Sequence, residues 1–296
     1  MSTVPAGRPP ERADGPSLTC VFAVTDAAVS PEVLAGTPGH DGGGPLRVLA
    51  AGPFRLVVQD VPAAAFGEES LPERLNRPDE LERCARAHHR GVAAAATTGP
   101  VVPLPLATLY RDDRNAVRAV TGREAVLRVL LDRLRDRAEW AVKVHGPAAD
   151  LVPDAVDPAA LRHDPGAAAS TAAHGPADGR SYLRRASARR RTERETREQA
   201  LARAHAVDRE LRRHAVAATR HRSQSEQLTG TRVPQLLNAA YLVDDARRAE
   251  FAGAVDRLAR EAAAAALEVT VSGPWIPYSF ARAHTVDDAV RREVGA

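Results

Sequence analysis

The sequence predicts an α+β protein built of two small ferredoxin-like α/β units linked by a long charged helix. Two observations predict this fold class. Short apolar strand patterns alternate with amphipathic helix patterns in both halves of the 296-residue chain. A Pro- and Ala-rich segment separates the halves and is followed by a long stretch that lacks internal Pro and Gly. This order of elements fits two α+β units better than a doubly wound sheet.

These patterns divide the chain into two domains and two tails. The predicted parts are an N-terminal tail (1–17), an N-terminal α+β domain (18–138), a C-terminal α+β domain (139–283) and a C-terminal tail (284–296). Inside the second domain, residues 146–180 are predicted to form a loose insertion because Pro, Ala, Gly and Asp predominate there. Residues 181–227 are predicted to form one long Arg-rich helix.

The first half begins with an interior strand at residues 18–24, where both faces are largely apolar. The further predicted elements are strands at 46–50 and 54–59, a helix from Asp79 to about residue 96, an extended segment at 101–106 and a helix at 115–138. Asp79 is the expected N-cap of the first helix. Gly122 is the expected break in the second.

The second half begins with a strand at residues 139–144, in which Trp140 and Glu139 are expected on opposite faces. After the long helix come a strand at 233–243, a helix to about residue 266 that starts at an Asp pair, and a strand at 267–271. The prolines that follow are expected to end this last strand.

The charge of the chain is unevenly distributed. The sequence holds 40 arginines and one lysine, a bias typical of a G+C-rich coding sequence, and its net charge is +3. Residues 180–232 carry 15 Arg against 6 Asp or Glu, which leaves the remainder of the chain negative. Such a helix can contact an acidic protein, RNA, DNA or its own copy. Its Arg and Glu residues four apart also stabilise an ordinary solvated helix, and the scarcity of aromatic residues argues against base stacking.

The remaining chemistry does not predict an enzyme, a metal site or a cofactor. Cys84 and His88 lie one turn apart on a helix, but no further ligand pattern completes a site, so both are expected on a buried face. The acidic pairs Asp112-Asp113 and Asp244-Asp245 are expected at the starts of helices, where the helix dipole explains them. Two cysteines in the chain favour a reducing, cytoplasmic setting, and neither a secretory leader nor a membrane-spanning segment is predicted.

The C-terminal segment Gly273-Pro274-Trp275-Ile276-Pro277-Tyr278-Ser279-Phe280 is the most distinctive part of the sequence. It holds three aromatic residues in a chain with only 4% aromatics. Two interpretations stand side by side: a lid that closes the core of the second unit, or an aromatic docking surface.

This segment closely resembles the C-terminal signature of the gas vesicle proteins GvpL and GvpF. Weaker matches follow the order of that family, at Val102-Pro103-Leu104-Pro105-Leu106-Ala107-Thr108-Leu109-Tyr110, at Glu139-Trp140-Ala141-Val142-Lys143-Val144 and at Ser181-Tyr182-Leu183. The resemblance covers residues 18 to 283. The sequence departs from the family at residues 106–108, where an Arg-Phe-Gly-Thr run is usual.

The resemblance implies a non-enzymatic accessory protein of gas vesicle assembly, located in the cytoplasm at the vesicle. Its implied partners are the small amphipathic wall protein, whose shell it would help to nucleate or shape, and other accessory proteins, whereas a membrane is not expected. The competing class is a basic nucleic-acid-binding or regulatory module that acts through the Arg-rich helix, and self-association stays open. The candidate contact residues are Trp275, Pro277, Tyr278, Phe280, Arg184, Arg190 and Arg194.

Overall fold

The computed structural model describes residues 15–146, 176–222 and 233–281, with side chains of the long helix described from Arg184 onward. The predicted tail residues 1–14 and 284–296, and nearly all of the predicted insertion, lie outside this part. The described residues form two compact units. One comprises residues 15–139 with 274–281, and the other comprises the described residues between 140 and 273.

The N-terminal unit combines one antiparallel sheet with a set of helices. Its elements are β1 (Ser17–Thr25), α1 (Pro31–Ala35), β2 (Arg47–Ala51), β3 (Phe54–Pro62), α2 (Ala63–Phe66), α3 (Ser70–Asn76), α4 (Pro78–Ala95), β4 (Val101–Pro103), β5 (Leu109–Tyr110), α5 (Asp113–Thr121) and α6 (Glu124–Leu134). The strand order is β2-β3-β1-β4, and β5 also pairs with β1.

Strand β1 lies inside this sheet, as its two apolar faces predict. It pairs antiparallel with β3 along its whole length, and the register shifts between Val21 and Ala23. From Cys20 to Val24 every side chain is fully buried. The prediction of an interior strand is therefore confirmed.

The two predicted helices of this unit form, with corrections to two boundaries. Helix α4 buries Cys84, His88 and Val92 on one face, as the helical spacing predicts. It begins at Pro78 with Arg77 as its N-cap, so the prediction that Asp79 caps it is wrong. Proline at the first helical position has a suitable φ and no N–H group to satisfy, and Asp79 then lies in the first turn. The second helix divides at Gly122 into α5 and α6, as predicted. It ends at Leu134 and not at residue 138, because Arg137 already begins the next strand.

The C-terminal unit contains a second sheet covered by two helices. Its elements are β6 (Arg137–His145), α7 (Pro176–Arg213), β7 (Ala217–Arg220), β8 (Gln235–Asp244), a 3₁₀ turn (Asp245–Arg247), α8 (Arg248–Ala263) and β9 (Glu268–Trp275). The strand order is β7-β8-β6-β9. Two antiparallel sheets with helices confirm the α+β class.

The core of this unit lies between its sheet and the last four turns of α7. Ala200, Ala204, Val207 and Leu211 follow one another at spacings of four, three and four, so they form one buried stripe on α7. This stripe belongs to the same core as Phe251 of α8. Among the described side chains of α7, those before Ala200 are not part of this core.

Both predicted ends of the long helix are wrong. It begins at Pro176, so residues 176–180 are helical and do not belong to a loose insertion. Helix α7 ends at Arg213, and the alanine-rich residues that follow form β7, whose Ala217 pairs with Leu242 of β8. Alanine favours a helix, but pairing with a buried neighbouring strand overrides that weak preference. The sequence contains no Pro or Gly at this point to indicate the change.

Strand β9 is also longer than predicted. It continues through Pro274 to Trp275, although Pro274 is expected to end it. The strand stands at the end of its sheet, where a residue without an N–H group is tolerated.

Candidate interaction surfaces

The signature segment is held in place by residues of the N-terminal unit. After β9 it makes a 3₁₀ turn from Tyr278 to Phe280. Ile276 packs against the N-terminal core, and Phe280 is buried. The interpretation of this segment as a lid on the C-terminal unit is therefore wrong. The sequence suggested that assignment because the segment directly follows strands and helices of the second half.

A buried carboxylate fixes the backbone of this turn. Ser279 donates its backbone N–H to Glu139 Oε2 at 2.9 Å and its hydroxyl to Oε1 at 2.7 Å. Glu139 is buried, although strand alternation placed it on the polar face. The alternation pattern of β6 missed this role because the donors come from a segment 140 residues away in sequence.

Two aromatic side chains remain accessible on this anchored backbone. Trp275 is 52% exposed and Tyr278 is 36% exposed. The Tyr278 hydroxyl lies 3.3 Å from His89 Nδ1, and their rings are 6.2 Å apart. Partial burial raises the pKa of Tyr278 to about 12, so its hydroxyl keeps its proton at neutral pH. No local pattern in the sequence indicates that His89 contacts this tyrosine.

The chain segment that carries the aromatic pair is itself uncharged. No Asp, Glu, Lys, Arg or His occurs from residue 269 to residue 281. Val271, two residues before the signature, is 42% exposed. Rigid rings on a fixed, uncharged backbone form a surface suited to apolar contact, because little side-chain freedom is lost on binding.

The second candidate surface is the first half of α7 within the C-terminal unit. Nearly every side chain from residue 184 to residue 199 is exposed, so this stretch is a solvated helical arm. We call residues 184–199 the arm. It carries seven Arg and three Glu, a net charge of +4. A helix that is polar all round relies on pairs between successive turns for its stability.

The three predicted arginine contacts differ in their surroundings. Arg194 donates to Glu198 Oε1 at 2.8 Å, and this bond raises the pKa of the guanidinium. Within the described residues, Arg184 and Arg190 make no ion pair. These two therefore offer their charge to a partner more readily than Arg194 does. They lie in a different compact unit from Trp275 and Tyr278.

The residues that suggest other chemistry have structural roles. His88 Nε2 lies 3.0 Å from the carbonyl oxygen of Leu104, and its ring stacks on Phe22. Burial lowers the pKa of His88 and raises the pKa of the Cys84 thiol, so both are held neutral. Within the described residues, no cluster of three His, Cys, Asp or Glu side chains could hold a metal ion.

The Asp pair at residues 112 and 113 stabilises the fold. Asp112 caps α5 by accepting the N–H of Asn115 at 2.8 Å. Asp113 accepts two bonds from Arg47, which lower the pKa of its carboxyl. The expectation that this pair marks a helix start is confirmed. Among the helices that the structure describes, none is both long and apolar enough to cross a membrane.

Fold and surfaces together define a two-unit α+β protein with one exposed aromatic surface and one cationic helical arm. The family model described as gas vesicle synthesis protein GvpL/GvpF matches residues 19–282. Gas vesicle protein L of Streptomyces sp. (strain CB03234) is 37% identical over 281 residues, covering 94% of this chain and 98% of that relative. The chain belongs to the GvpL/GvpF family.

Two solved structures share the fold at low sequence identity. The gas vesicle protein GvpF from Anabaena sp. PCC7120 matches with a TM-score of 0.60 and 15% identity, over 90% of this chain and 96% of that one. GvpF from Microcystis aeruginosa matches with a TM-score of 0.56 and 14% identity, over 90% and 99%.

Proposed function

We propose that the protein is a non-enzymatic accessory protein of gas vesicle assembly, located at the vesicle, which binds the wall protein and helps to nucleate or shape the shell. Membership of a gas vesicle synthesis family supports the role in assembly. The main support for wall-protein binding is the signature segment, whose backbone is anchored by Glu139 while Trp275 stays exposed.

We also propose that both units are ferredoxin-like, because each sheet places its strands in an equivalent order.

The aromatic surface suits an apolar partner. Subunits that assemble into a wall expose apolar surface before they assemble, and a partner that covers this surface limits premature aggregation. Aromatic side chains commonly dominate such contacts, and truncating one costs about 2 kcal/mol or more of binding free energy. Trp275 and Tyr278 are the two side chains of this surface that we expect to contribute most.

The arm supports a second contact, with acidic segments of wall or accessory proteins. Its net positive charge accelerates the approach of an acidic partner. This electrostatic attraction weakens as salt is added. We expect Arg184 and Arg190 to contribute more than Arg194, whose guanidinium already pairs with Glu198.

The experiment is co-purification of the tagged full chain with wall protein from a host that makes both. The double variant Trp275→Ala/Tyr278→Ala should fold like the wild type by circular dichroism and recover at least about ten-fold less wall protein. The matched control is Val126→Ala/Val129→Ala, which removes two exposed apolar side chains from α6 of the same unit. Equal recovery of wall protein by both double variants would show that the aromatic surface is not the docking surface.

The competing nucleic-acid function predicts a different outcome. In that case the full chain would bind DNA or RNA, with affinity falling steeply as salt rises, and would bind wall protein no better than the Trp275→Ala/Tyr278→Ala variant does. The exposed Trp275 and Tyr278 rings favour the protein partner, because they suit apolar contact.

A further inference from the structure

A groove on the C-terminal unit runs between α7 and α8 and has no part in the function proposed above. Its volume is about 540 Å³. The apolar lining consists of Ala206, Val207, Leu258, Ala262, Ala264 and Ala265. Val207, Leu258 and Ala262 also belong to the buried core, so the floor of the groove is held rigid by the fold.

Four charged side chains line the rim of the groove. Arg257 Nη2 lies 3.4 Å from Glu210 Oε1, and Arg257 Nε lies 4.0 Å from Glu261 Oε1. Arg203 makes no ion pair within the residues that the structure describes. The rim therefore offers one cation whose charge is not already balanced by a neighbour.

The side of α7 that carries Arg203 continues beyond the groove into the arm. Thr192, Thr196, Gln199 and Arg203 follow one another at spacings of four, three and four, so they share one side of the helix. The first three are uncharged and exposed. An elongated partner that lies in the groove can therefore extend along this side of the arm.

We infer that this groove binds an amphipathic α-helix of a partner protein, with small apolar side chains in the groove and a carboxylate beside Arg203. A valley between two packed helices accepts a third helix by the same interlocking of side chains that joins the first two. The rim cation and the net charge of +4 on the adjoining arm select acidic over basic helices. The inference adds a binding site to the proposed function and does not depend on the aromatic surface.

A protein helix fits this groove better than a nucleic acid. None of the residues that line the groove is aromatic, so the groove has no side chain on which a nucleic-acid base can stack. The floor is apolar, which suits the buried side of a helix.

The test is fluorescence anisotropy of the full chain with a labelled synthetic helix of about 20 residues that has a Leu and Ala stripe bordered by Glu. Arg203→Glu should weaken binding by about ten-fold, because it places a carboxylate against the acidic edge of the peptide. The matched control is Arg209→Glu, an exposed arginine on another side of α7, which should change binding by less than about two-fold. Ala206→Glu, inside the groove, should weaken binding like Arg203→Glu.

Three results would overturn the inference. The first is an equal loss of peptide affinity in Arg203→Glu and Arg209→Glu. The second is equally tight binding of a peptide in which Lys replaces Glu. The third is displacement of the labelled peptide by single-stranded DNA at a lower concentration than by unlabelled peptide. Circular dichroism verifies that each variant is folded. The assay uses neither wall protein nor vesicles, so its failure is distinguishable from failure of the proposed function.

Discussion

Burial of His40 makes the stability of the N-terminal unit depend on pH. Its ring is only 4% exposed and lies 5.2 Å from the ring of Phe22 and 5.2 Å from that of Phe66. Neither ring nitrogen has a hydrogen-bond partner. Burial, followed by the nearby charges of His88 and Arg74, lowers the pKa of His40 from 6.5 to about 4.

The sign of the effect follows from the lowered pKa. Above pH 6.5 the His40 ring is neutral in the folded and the unfolded chain, so it contributes its full stability. As pH falls from 6.5 towards 4, the unfolded chain binds a proton that the folded chain excludes, and stability is lost. The difference between 6.5 and about 4 is equivalent to about 3 kcal/mol.

The variant His40→Leu tests this reasoning, since leucine cannot take up a proton. The substitution changes the free energy of unfolding at pH 7 by some fixed amount. Between pH 7 and pH 4, the free energy of unfolding of the variant should rise by about 3 kcal/mol relative to that of the wild type. Hydrogen exchange of the β1 and β3 amides measures this, because those strands belong to the N-terminal unit. His89→Leu, on the exposed side of the same helix as His88, is the control. A stability difference between His40→Leu and the wild type that stays constant from pH 7 to pH 4 would refute the account.

Three further variants test other contacts. Asp208→Ala should destabilise the C-terminal unit by about 1–3 kcal/mol in urea unfolding, because it leaves the buried Tyr241 hydroxyl without its acceptor, whereas the two arginines that also bond Asp208 are half-exposed and can be hydrated; a loss below about 0.5 kcal/mol would contradict this. Glu139→Gln should raise hydrogen exchange at Ser279, since an amide offers one acceptor oxygen where the carboxylate offers two; unchanged exchange would contradict it. Gly91→Ala should lower the melting temperature, because its Cβ would lie 2.5 Å from the Phe22 ring, and overpacking of about 1–3 kcal/mol exceeds the helix gain of about 1 kcal/mol; a higher melting temperature would contradict it.

Local patterns predicted the elements that have local causes. The interior strand β1 follows from apolar residues on both faces, and the division between α5 and α6 follows from Gly122. The first buried helix follows from the spacing of Cys84, His88 and Val92. In each case the deciding interaction lies within one element or one face.

The errors arise where contacts between residues that are distant in sequence determine the local structure. Strand β7 forms because β8 is there to pair with it, although its alanines favour a helix. Glu139 and Ser279 meet across 140 residues of sequence, and nothing in either local pattern indicates the contact. The aromatic signature was therefore identified correctly as a feature and assigned to the wrong unit. The short helix α1 had a usable signal, since Ser30 precedes Pro31 and Glu32 as a typical N-cap.

Site-specific crosslinking to the wall protein tests the central claim most directly. A photoreactive benzoylphenylalanine placed at Trp275 in the full chain is irradiated in cells that assemble gas vesicles, and the adducts are identified by mass spectrometry. The same group at Val129, 49% exposed on α6 of the same unit, is the control. We predict an adduct with wall protein at Trp275 and much less at Val129. Equal yields at the two positions, or no wall-protein adduct at Trp275, would contradict the proposal.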